Sequence, residues 1–303
     1  MIRLLTLPDT HPLHSIIESI RNDPPKRHPS PLADLIKIFK LRRKKLETIL
    51  PVAQCPQIKT KFATEIAGLR EESIAQEKND EAEYKVFSDG SGMEDGVGTA
   101  AILYKKGQST PVDKLKAFLG PPSRRNTFEA EAIGAILAAK LLSDHPDTIG
   151  KAATLYIDNQ SIIASLKTPK VSPGQHLVRH LLLSVNALAC NLKIWWISSH
   201  SKVKGNEKVD ELAKEAAEGR SSEVARLLHI LRTPLPISAS ATKQAYLKRL
   251  KYAWEDEWEE SDRGRRFNSI DEHFPFNSYR KHANCLTRSQ AMLTALPDLK
   301  PVS

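Results

Sequence analysis

The sequence predicts an α/β protein whose core is a mixed five-stranded sheet flanked by helices. Three β-patterned segments follow one another without an intervening helix, which indicates an antiparallel meander. The next two are each preceded by a helical pattern, and a strand-helix-strand unit brings its strands in parallel. These patterns place a domain at 81–220, between a proline-rich, basic helical flank or linker at 1–80 and a helical extension at 221–303.

The first predicted strand reads YKVFSDGSG and begins at Tyr84. Because side chains alternate along a strand, Tyr84 and Val86 should face one side of the sheet, and Phe87 and Asp89 the other. Asp89 then lies where the strand meets its turn. An Asp-Gly pair also opens hairpins in its own right, so a purely local turn is the alternative interpretation.

The remaining elements follow in chain order. A helix capped by Asn126 or Thr127 runs to Leu142 and is apolar almost all round, which predicts packing on both of its sides. Further strands are predicted at 97–104, 111–119, 154–158 and 192–198, and further helices from 161, at 174–190 and at 205–218.

The two flanks show weaker patterns. Residues 1–34 carry six prolines and predict an extended arm, and 57–80 predicts a polar linker. Residues 31–50 predict one helix that ends in the basic run 42–45. Such a run is more often a solvated helix face than a phosphate contact. An amphipathic helix is predicted at 245–258, with its tryptophans as core or interface residues.

Composition narrows the class of protein. The chain has 303 residues, 40% of them hydrophobic, and a formal net charge of +9, which favours an anionic partner such as nucleic acid. The sequence contains neither an apolar run of about 20 residues nor a signal-peptide pattern, so we expect an intracellular protein with no membrane partner. We also expect a monomer. The three cysteines lie far apart, without metal-ligand spacing.

Four acidic positions are the candidates for chemistry. Asp89 and Asp158 each end a predicted strand, Glu131 or Glu129 lies early in the apolar helix, and Asp210 lies early in the last helix. A carboxylate on a fully packed helix costs free energy unless it is paired or binds a metal. Carboxylates without histidine or cysteine neighbours suit Mg²⁺ or Mn²⁺, and two such ions can hold a phosphodiester for hydrolysis.

Each acidic residue also has a structural alternative. The Asp158-Asn159 pair could cap the following helix, and the Asp210-Glu211 pair could be an ordinary acidic first turn that favours the helix dipole.

Four segments together resemble the motifs of type 1 ribonuclease H, in order and at plausible separations. They are SDGSG at 88–92, EAEAIGAILAAKLL at 129–142, YIDNQSII at 156–163 and WWISSHSKVKGNEKVDELAKEAA at 195–217. The last is the most specific, because His200 precedes Asp210 by ten residues with Gly-Asn-Glu between them. The resemblance covers roughly residues 82–219 and implies the ribonuclease H-like fold.

The resemblance also implies roles for these residues. It makes metal ligands and catalytic residues of Asp89, Glu131, Asp158 and Asp210, holding two Mg²⁺ ions for which Mn²⁺ can substitute. Glu131 is preferred to Glu129 because the small and apolar residues after it match the family's helix in register. The loop histidine would assist turnover.

Three further positions, Gly90, Ser91 and Asn206, resemble family positions near the substrate. The implied reaction is endonucleolytic hydrolysis of the RNA strand of an RNA/DNA hybrid, which leaves 5′-phosphate ends. RNA would have to be recognised through its 2′-hydroxyl groups, since these distinguish it from DNA. Some members of the family insert a basic protrusion before the last strand. Here that region holds only the helix at 174–190, so the basic residues that bind the substrate would have to come from the final loop or from the flanks.

The surroundings suggest an origin. The segments LPDTHPLHSII, RHPSPLADLIK and LTRSQAMLTAL resemble regions that bracket ribonuclease H in non-LTR retrotransposon reverse transcriptases, which implies a retroelement-derived chain and possible retroelement protein partners. The alternatives are a catalytically impaired nucleic-acid-binding remnant and a DNA transposase or integrase. No Asp-Asp pair occurs in the sequence, so polymerase activity is not expected.

Overall fold

We describe a computed structural model of the chain. It describes residues 2–7, 9–23, 30–51, 58–168, 170–199, 201–262, 265, 285 and 287. Residues 1–244 form one compact unit, and residues 245–303 form a second. None of the helices in these described residues is both long enough and apolar enough to cross a membrane.

One mixed sheet organises the first unit. Its strands are β1 (Ala63–Glu65), β2 (Tyr84–Gly92), β3 (Val97–Lys105), β4 (Asp113–Gly120), β5 (Ala152–Ile157) and β6 (Asn191–Trp196). Their order across the sheet is β1-β6-β5-β2-β3-β4. Strands β2, β3 and β4 form the antiparallel meander, whereas β2, β5, β6 and β1 run in parallel. The predicted fold class is confirmed.

The strand count is larger than predicted, because β1 adds a sixth strand inside the expected linker at 57–80. Three residues are too few to show an alternating pattern, so this strand depends on its pairing with β6. That pairing also covers a sheet edge that would otherwise be open.

Eight helices accompany the sheet in the described part of the chain. They are α1 (His14–Asn22), α2 (Pro31–Phe39), α3 (Arg70–Lys78), α4 (Thr127–Asp144), α5 (Gln160–Lys167), α6 (Gln175–Asn186), α7 (Lys204–Ala217) and α8 (Ala239–Glu260). Helix α8 begins six residues before the predicted 245–258 helix and continues into the second unit.

The sheet carries a hydrophobic core on each face. The larger core packs Tyr84 and Val86 of β2 against α4, α5 and α6, and the smaller one packs Phe87 against α7. The predicted alternation along β2 is therefore confirmed. Helix α4 lies in the larger core with thirteen buried residues, as its apolar composition predicts.

The predictions for the N-terminal flank need three corrections. Residues 1–34 are not simply extended, because a 3₁₀ helix at Ile2–Thr6 and α1 form there around buried side chains. The helix predicted at 31–50 ends at Phe39, where Lys40 adopts a left-handed conformation with φ of 50°. The expected linker contains α3 as well as β1. The basic run 42–45 is therefore a turn and not a helix face.

A buried glutamate, Glu47, joins the flanks to the sheet and its helices. Its two carboxylate oxygens accept hydrogen bonds from the backbone N–H of Gly174 and of Ala239, each at 2.7 Å, so one side chain serves the start of α6 and the start of α8. Its own N–H donates to the carbonyl of Ile237. Segments on both sides of 81–220 thus pack within the first unit, and the predicted domain boundaries remain a prediction.

Replacing Glu47 with alanine should destabilise the protein. The change leaves two helix-start N–H groups without their charged acceptor in a buried place, a loss of about 3–5 kcal/mol. For a unit of this size, we expect the thermal midpoint to fall by roughly 10 °C. Circular-dichroism melting measures this, and exposed Glu94 gives the matched control, Glu94→Ala. Equal midpoints for the two variants would contradict the role assigned to Glu47.

Candidate active site

The candidate site lies at the carboxyl ends of the two central parallel strands. Asp89 is near the end of β2, and Asp158 directly follows the last residue of β5. In the parallel register, Ser88 lies opposite Ile157, so the next residue on each strand carries a carboxylate at the same sheet edge. Neighbouring strand ends of this kind are where open α/β sheets place their sites.

Helix α4 brings a third carboxylate, Glu131, to this edge. It can do so because β2 has a glycine where the helix crosses it. A Cβ built on Gly90 would lie 2.4 Å from the backbone nitrogen of Glu131 and 2.7 Å from the Cβ of Ala130, so any side chain there would push α4 away. Gly90 therefore sets the distance between Glu131 and Asp89.

The carboxylates meet around one small cavity. Asp89, Glu131 and Asp158 each offer an oxygen, and these oxygens lie within 4.8 Å of one another. Asp210 of α7 lines the same cavity of about 180 Å³, and its Oδ2 accepts a hydrogen bond from Nζ of Lys214 at 2.7 Å. All four acidic residues singled out in the sequence are thus brought together.

Burial is the main cause that raises the pKa of the three grouped carboxylates, Asp89, Glu131 and Asp158. Burial, with repulsion from Asp158 and then Asp89, raises the pKa of Glu131 to about 11. Burial and repulsion from Asp158 raise the pKa of Asp89 to about 7. Burial also raises the pKa of Asp158. Such crowding of like charges is unfavourable unless a cation is shared among them.

The site fits a divalent cation. Oxygen Oε2 of Glu131 and Oδ1 of Asp158 are buried and have no hydrogen-bond partner among the described residues. The grouped donors are all carboxylate oxygens, which is the ligand chemistry of Mg²⁺ or Mn²⁺ and not of zinc. A cation would satisfy both free oxygens and remove the repulsion.

The other predicted site residues differ in whether they line the cavity. Gly90 and Asn206 line the cavity, and Asn206 is buried. Ser91 lies in β2, partly exposed, but is not among the residues that line the cavity. His200 lies outside the described residues.

Glu129, the alternative to Glu131, belongs to a capping box. The N–H of Glu129 donates to Oδ1 of Asn126 at 2.9 Å, and Oε2 of Glu129 accepts from the N–H of Asn126 at 3.1 Å. It is not part of the carboxylate group. The Asp158-Asn159 pair does cap α5, but through the side chain of Asn159, and Asp158 belongs to the carboxylate group.

Three residues at the site were not singled out from the sequence. The indole Nε1 of Trp196 donates to the backbone carbonyl of Asp158 at 2.9 Å, and the hydroxyl of Ser199 donates to Oδ2 of Asp158 at 3.2 Å. These two bonds fix the position of Asp158. Glu207 also lines the cavity. All three residues lie within the quoted fourth motif, which was the available signal.

Comparison with known proteins gives this geometry a family context. The RNase H family model matches residues 81–218. That RNase H segment is just under half of the chain, and it contains all four carboxylates. No curated protein sequence matches the chain. The resemblance of the four motifs to RNase H is confirmed for the segment, whereas the retroelement origin stays a prediction.

Several solved structures resemble the chain. The N-terminal RNase H domain of a Mycobacterium tuberculosis protein, solved as a fusion with maltose-binding protein, is 19% identical with a TM-score of 0.36, over 46% of this chain and 95% of that one. LC11-RNase H1 in complex with an RNA/DNA hybrid is 15% identical with a TM-score of 0.38, over 45% and 97%. The foamy viral protease-reverse transcriptase with an RNA/DNA hybrid is 14% identical with a TM-score of 0.41, over 67% and 28%.

Removing one charge from the cluster should stabilise the metal-free protein. The pKa of Asp89 is about 7 in the folded state and about 3.9 in an unfolded chain, so its ionisation opposes folding as the pH rises through this window. Asp89→Asn should therefore raise the thermal midpoint at pH 8 in the presence of a chelator. The corresponding gain in the free energy of unfolding is up to about 4 kcal/mol. The difference should vanish near pH 2, where the carboxyl is protonated in both states.

Exposed Asp95 in the β2–β3 turn provides the control, Asp95→Asn, which should leave the midpoint unchanged at both pH values. Mg²⁺ should then raise the midpoint of the unsubstituted protein more than that of Asp89→Asn. A midpoint for Asp89→Asn at or below that of the parent protein at pH 8 would show that the carboxylates are not in conflict.

Proposed function

We propose that the protein is a divalent-metal-dependent ribonuclease H, which hydrolyses the RNA strand of RNA/DNA hybrids endonucleolytically. The single observation that carries the proposal is the grouping of Asp89, Glu131 and Asp158 around one cavity, with buried oxygens left unpartnered, inside the segment that the RNase H family model matches. We further propose that the chain derives from a retroelement and acts inside the cell as a monomer.

The carboxylates would hold the metal. Asp89, Glu131, Asp158 and Asp210 are the proposed ligands of two Mg²⁺ ions, and Mn²⁺ could substitute for Mg²⁺. Bound there, the ions would supply an activated water and neutralise charge on the departing 3′ oxygen, which leaves 5′-phosphate and 3′-hydroxyl ends.

The remaining residues of the site would position these groups and the RNA. Trp196 and Ser199 hold Asp158 through its carbonyl and its carboxylate, so the ligand oxygens need little rearrangement. Asn206 presents an amide in the cavity wall, Gly90 lines the same cavity, and Ser91 follows Gly90 along the strand. Small polar groups of this kind can recognise the 2′-hydroxyl that distinguishes RNA from DNA.

The two alternative functions find less support. A remnant without nuclease activity would have no catalytic need for any of the four carboxylates, yet all four line one cavity. A DNA transposase or integrase would not need Asn206 beside the acidic group. Both alternatives are outcomes of the nuclease experiment below.

Cleavage of an end-labelled RNA/DNA hybrid tests the proposal. The full chain should cut the RNA strand with Mg²⁺ or Mn²⁺ and should spare single-stranded RNA and duplex DNA. Asp158→Asn removes a ligand charge and should lower the rate by about 10³-fold or more, because the metals supply most of the charge stabilisation. Asp95→Asn is the matched control and should cut at the parent rate.

Three outcomes would overturn the proposal. Cleavage by Asp158→Asn at the parent rate would remove this group from the reaction. Cutting of duplex DNA in place of the hybrid would favour the transposase or integrase reading. Hybrid binding without any cleavage by the parent protein would favour the remnant. Circular dichroism of the variants shows whether a loss of rate reflects unfolding.

His200 is proposed to assist turnover by proton transfer or by helping product and metal leave. His200→Ala should therefore slow multiple-turnover cleavage and should affect a single turnover less. The two rates are compared by rapid-quench measurement with enzyme below and above the hybrid concentration. An alanine variant as inactive as Asp158→Asn would contradict this role.

A further inference from the structure

A basic groove lies in the N-terminal flank, away from the carboxylate cavity. Its volume is about 800 Å³. We call it the basic groove because six basic residues line it: Arg21, Lys40, Arg42, Arg43, Lys44 and Lys45. Two acidic residues, Asp9 and Glu18, also line it. The proposed reaction assigns no role to these six basic residues.

The turn that carries most of these charges is held at both ends. Leu41 and Leu46 are 3% and 5% exposed, so the four basic residues between them stand on two buried anchors. The N–H of Leu41 donates to the Ile36 carbonyl, and that of Lys45 donates to the Arg42 carbonyl. A short 3₁₀ turn therefore presents the basic side chains in a fixed arrangement, which lowers the entropy lost on binding.

Most of the positive charge in this groove is not neutralised by neighbouring acids. Arg43 pairs with Asp9, and Arg21 pairs with Glu18. Four exposed residues have no ion pair with any described residue: Lys40, Arg42, Lys44 and Lys45. An exposed cluster of unpaired positive charge attracts anions and raises their concentration near the surface.

Short steps connect the basic turn to the carboxylates. Lys45 is two residues before Glu47, whose carboxylate accepts from the N–H of Gly174 at 2.7 Å. A Cβ on Gly174 would lie 2.9 Å from the ring of Phe128, three residues before Glu131. These steps set an upper limit of roughly 30 Å on the distance between the Cα atoms of Lys45 and Glu131. One turn of a duplex is about 34 Å long, so a duplex at the carboxylates is long enough to reach the turn.

We propose that the basic groove binds the phosphate backbone of the same nucleic-acid duplex that occupies the carboxylate cavity. This inference rests on the proposed function. The described residues between α5 and β6 contain two permanently charged basic side chains, Lys170 and Arg179, so they offer few phosphate contacts. The unpaired charges of the groove supply such contacts without reading sequence, because phosphate contacts position a duplex and do not specify bases.

The test compares two triple variants of the full chain. Arg42→Gln, Lys44→Gln and Lys45→Gln together remove charge from the groove. Lys106→Gln, Lys114→Gln and Lys151→Gln together form the control, because these residues are exposed and two of them lie where β2 and β5 begin, at the opposite sheet edge. Each triple variant lowers the formal net charge of +9 by three.

Binding is measured by fluorescence anisotropy with labelled RNA/DNA hybrids of about 6 and about 20 base pairs, which are roughly 20 Å and 68 Å long. Asp158→Asn is introduced into every protein to prevent cleavage. With the longer hybrid, the groove variant should bind at least about tenfold more weakly near 0.1 M salt. Its slope of log affinity against log salt should become shallower by about 2.7, which corresponds to three lost phosphate contacts.

The control variant should keep both the affinity and the salt slope of the parent protein. The groove variant should lose less affinity for the shorter hybrid than for the longer one. Equal loss in both triple variants would show only a general charge effect and would overturn the proposal. Unchanged hybrid binding by the groove variant, with lost binding of labelled polyglutamate, would assign the groove to an acidic protein and also overturn it.

Failure of this inference can be distinguished from failure of the proposed function. If the parent protein cleaves hybrids and the groove variant binds the longer hybrid like the control, only the groove proposal fails. If the parent protein does not cleave hybrids, the proposed function fails, while a duplex-binding role of the groove is still decided by the two salt slopes.

Discussion

The crowding of carboxylates at one sheet edge is the constraint on which the rest of the structure depends. Three acidic side chains converge within 4.8 Å, and burial raises the pKa of each. Such an arrangement opposes folding in the absence of a cation, so stability has to come from elsewhere. The two hydrophobic cores provide this stability, because they pack β2 against α4 on one face of the sheet and against α7 on the other.

The packing on both faces of β2 also explains why segments from both flanks belong to the first unit. Helix α4 must start close to β2 to present Glu131, and α6 starts beside it, where Gly174 packs on Phe128. Glu47 from the N-terminal flank holds the start of α6, and Leu227 from beyond α7 packs in the larger core. Segments outside the RNase H segment thus support the elements that carry its site. The basic turn is fixed by these contacts too.

Long elements with strong patterns could be predicted from the sequence, and short ones could not. The alternation along β2 and the apolar surface of α4 each extend over many residues, so local composition was sufficient. Strand β1 exists only through its pairing with β6, and the end of α2 at Phe39 depends on a left-handed lysine that no composition rule favours. The contact of Trp196 with a backbone carbonyl likewise has no sequence pattern, because any residue supplies a carbonyl.

The two glutamates of α4 show how far a sequence pattern can decide a role. Side chains two positions apart on an α-helix point about 200° away from each other, so Glu129 and Glu131 cannot both face the cavity. Asn126 three residues before Glu129 has the spacing of a capping box, which the structure confirms. With Glu129 held at the helix start, the register of the helix leaves Glu131 as the carboxylate that faces β2. A local capping rule, applied first, would have identified the ligand candidate without reference to any family.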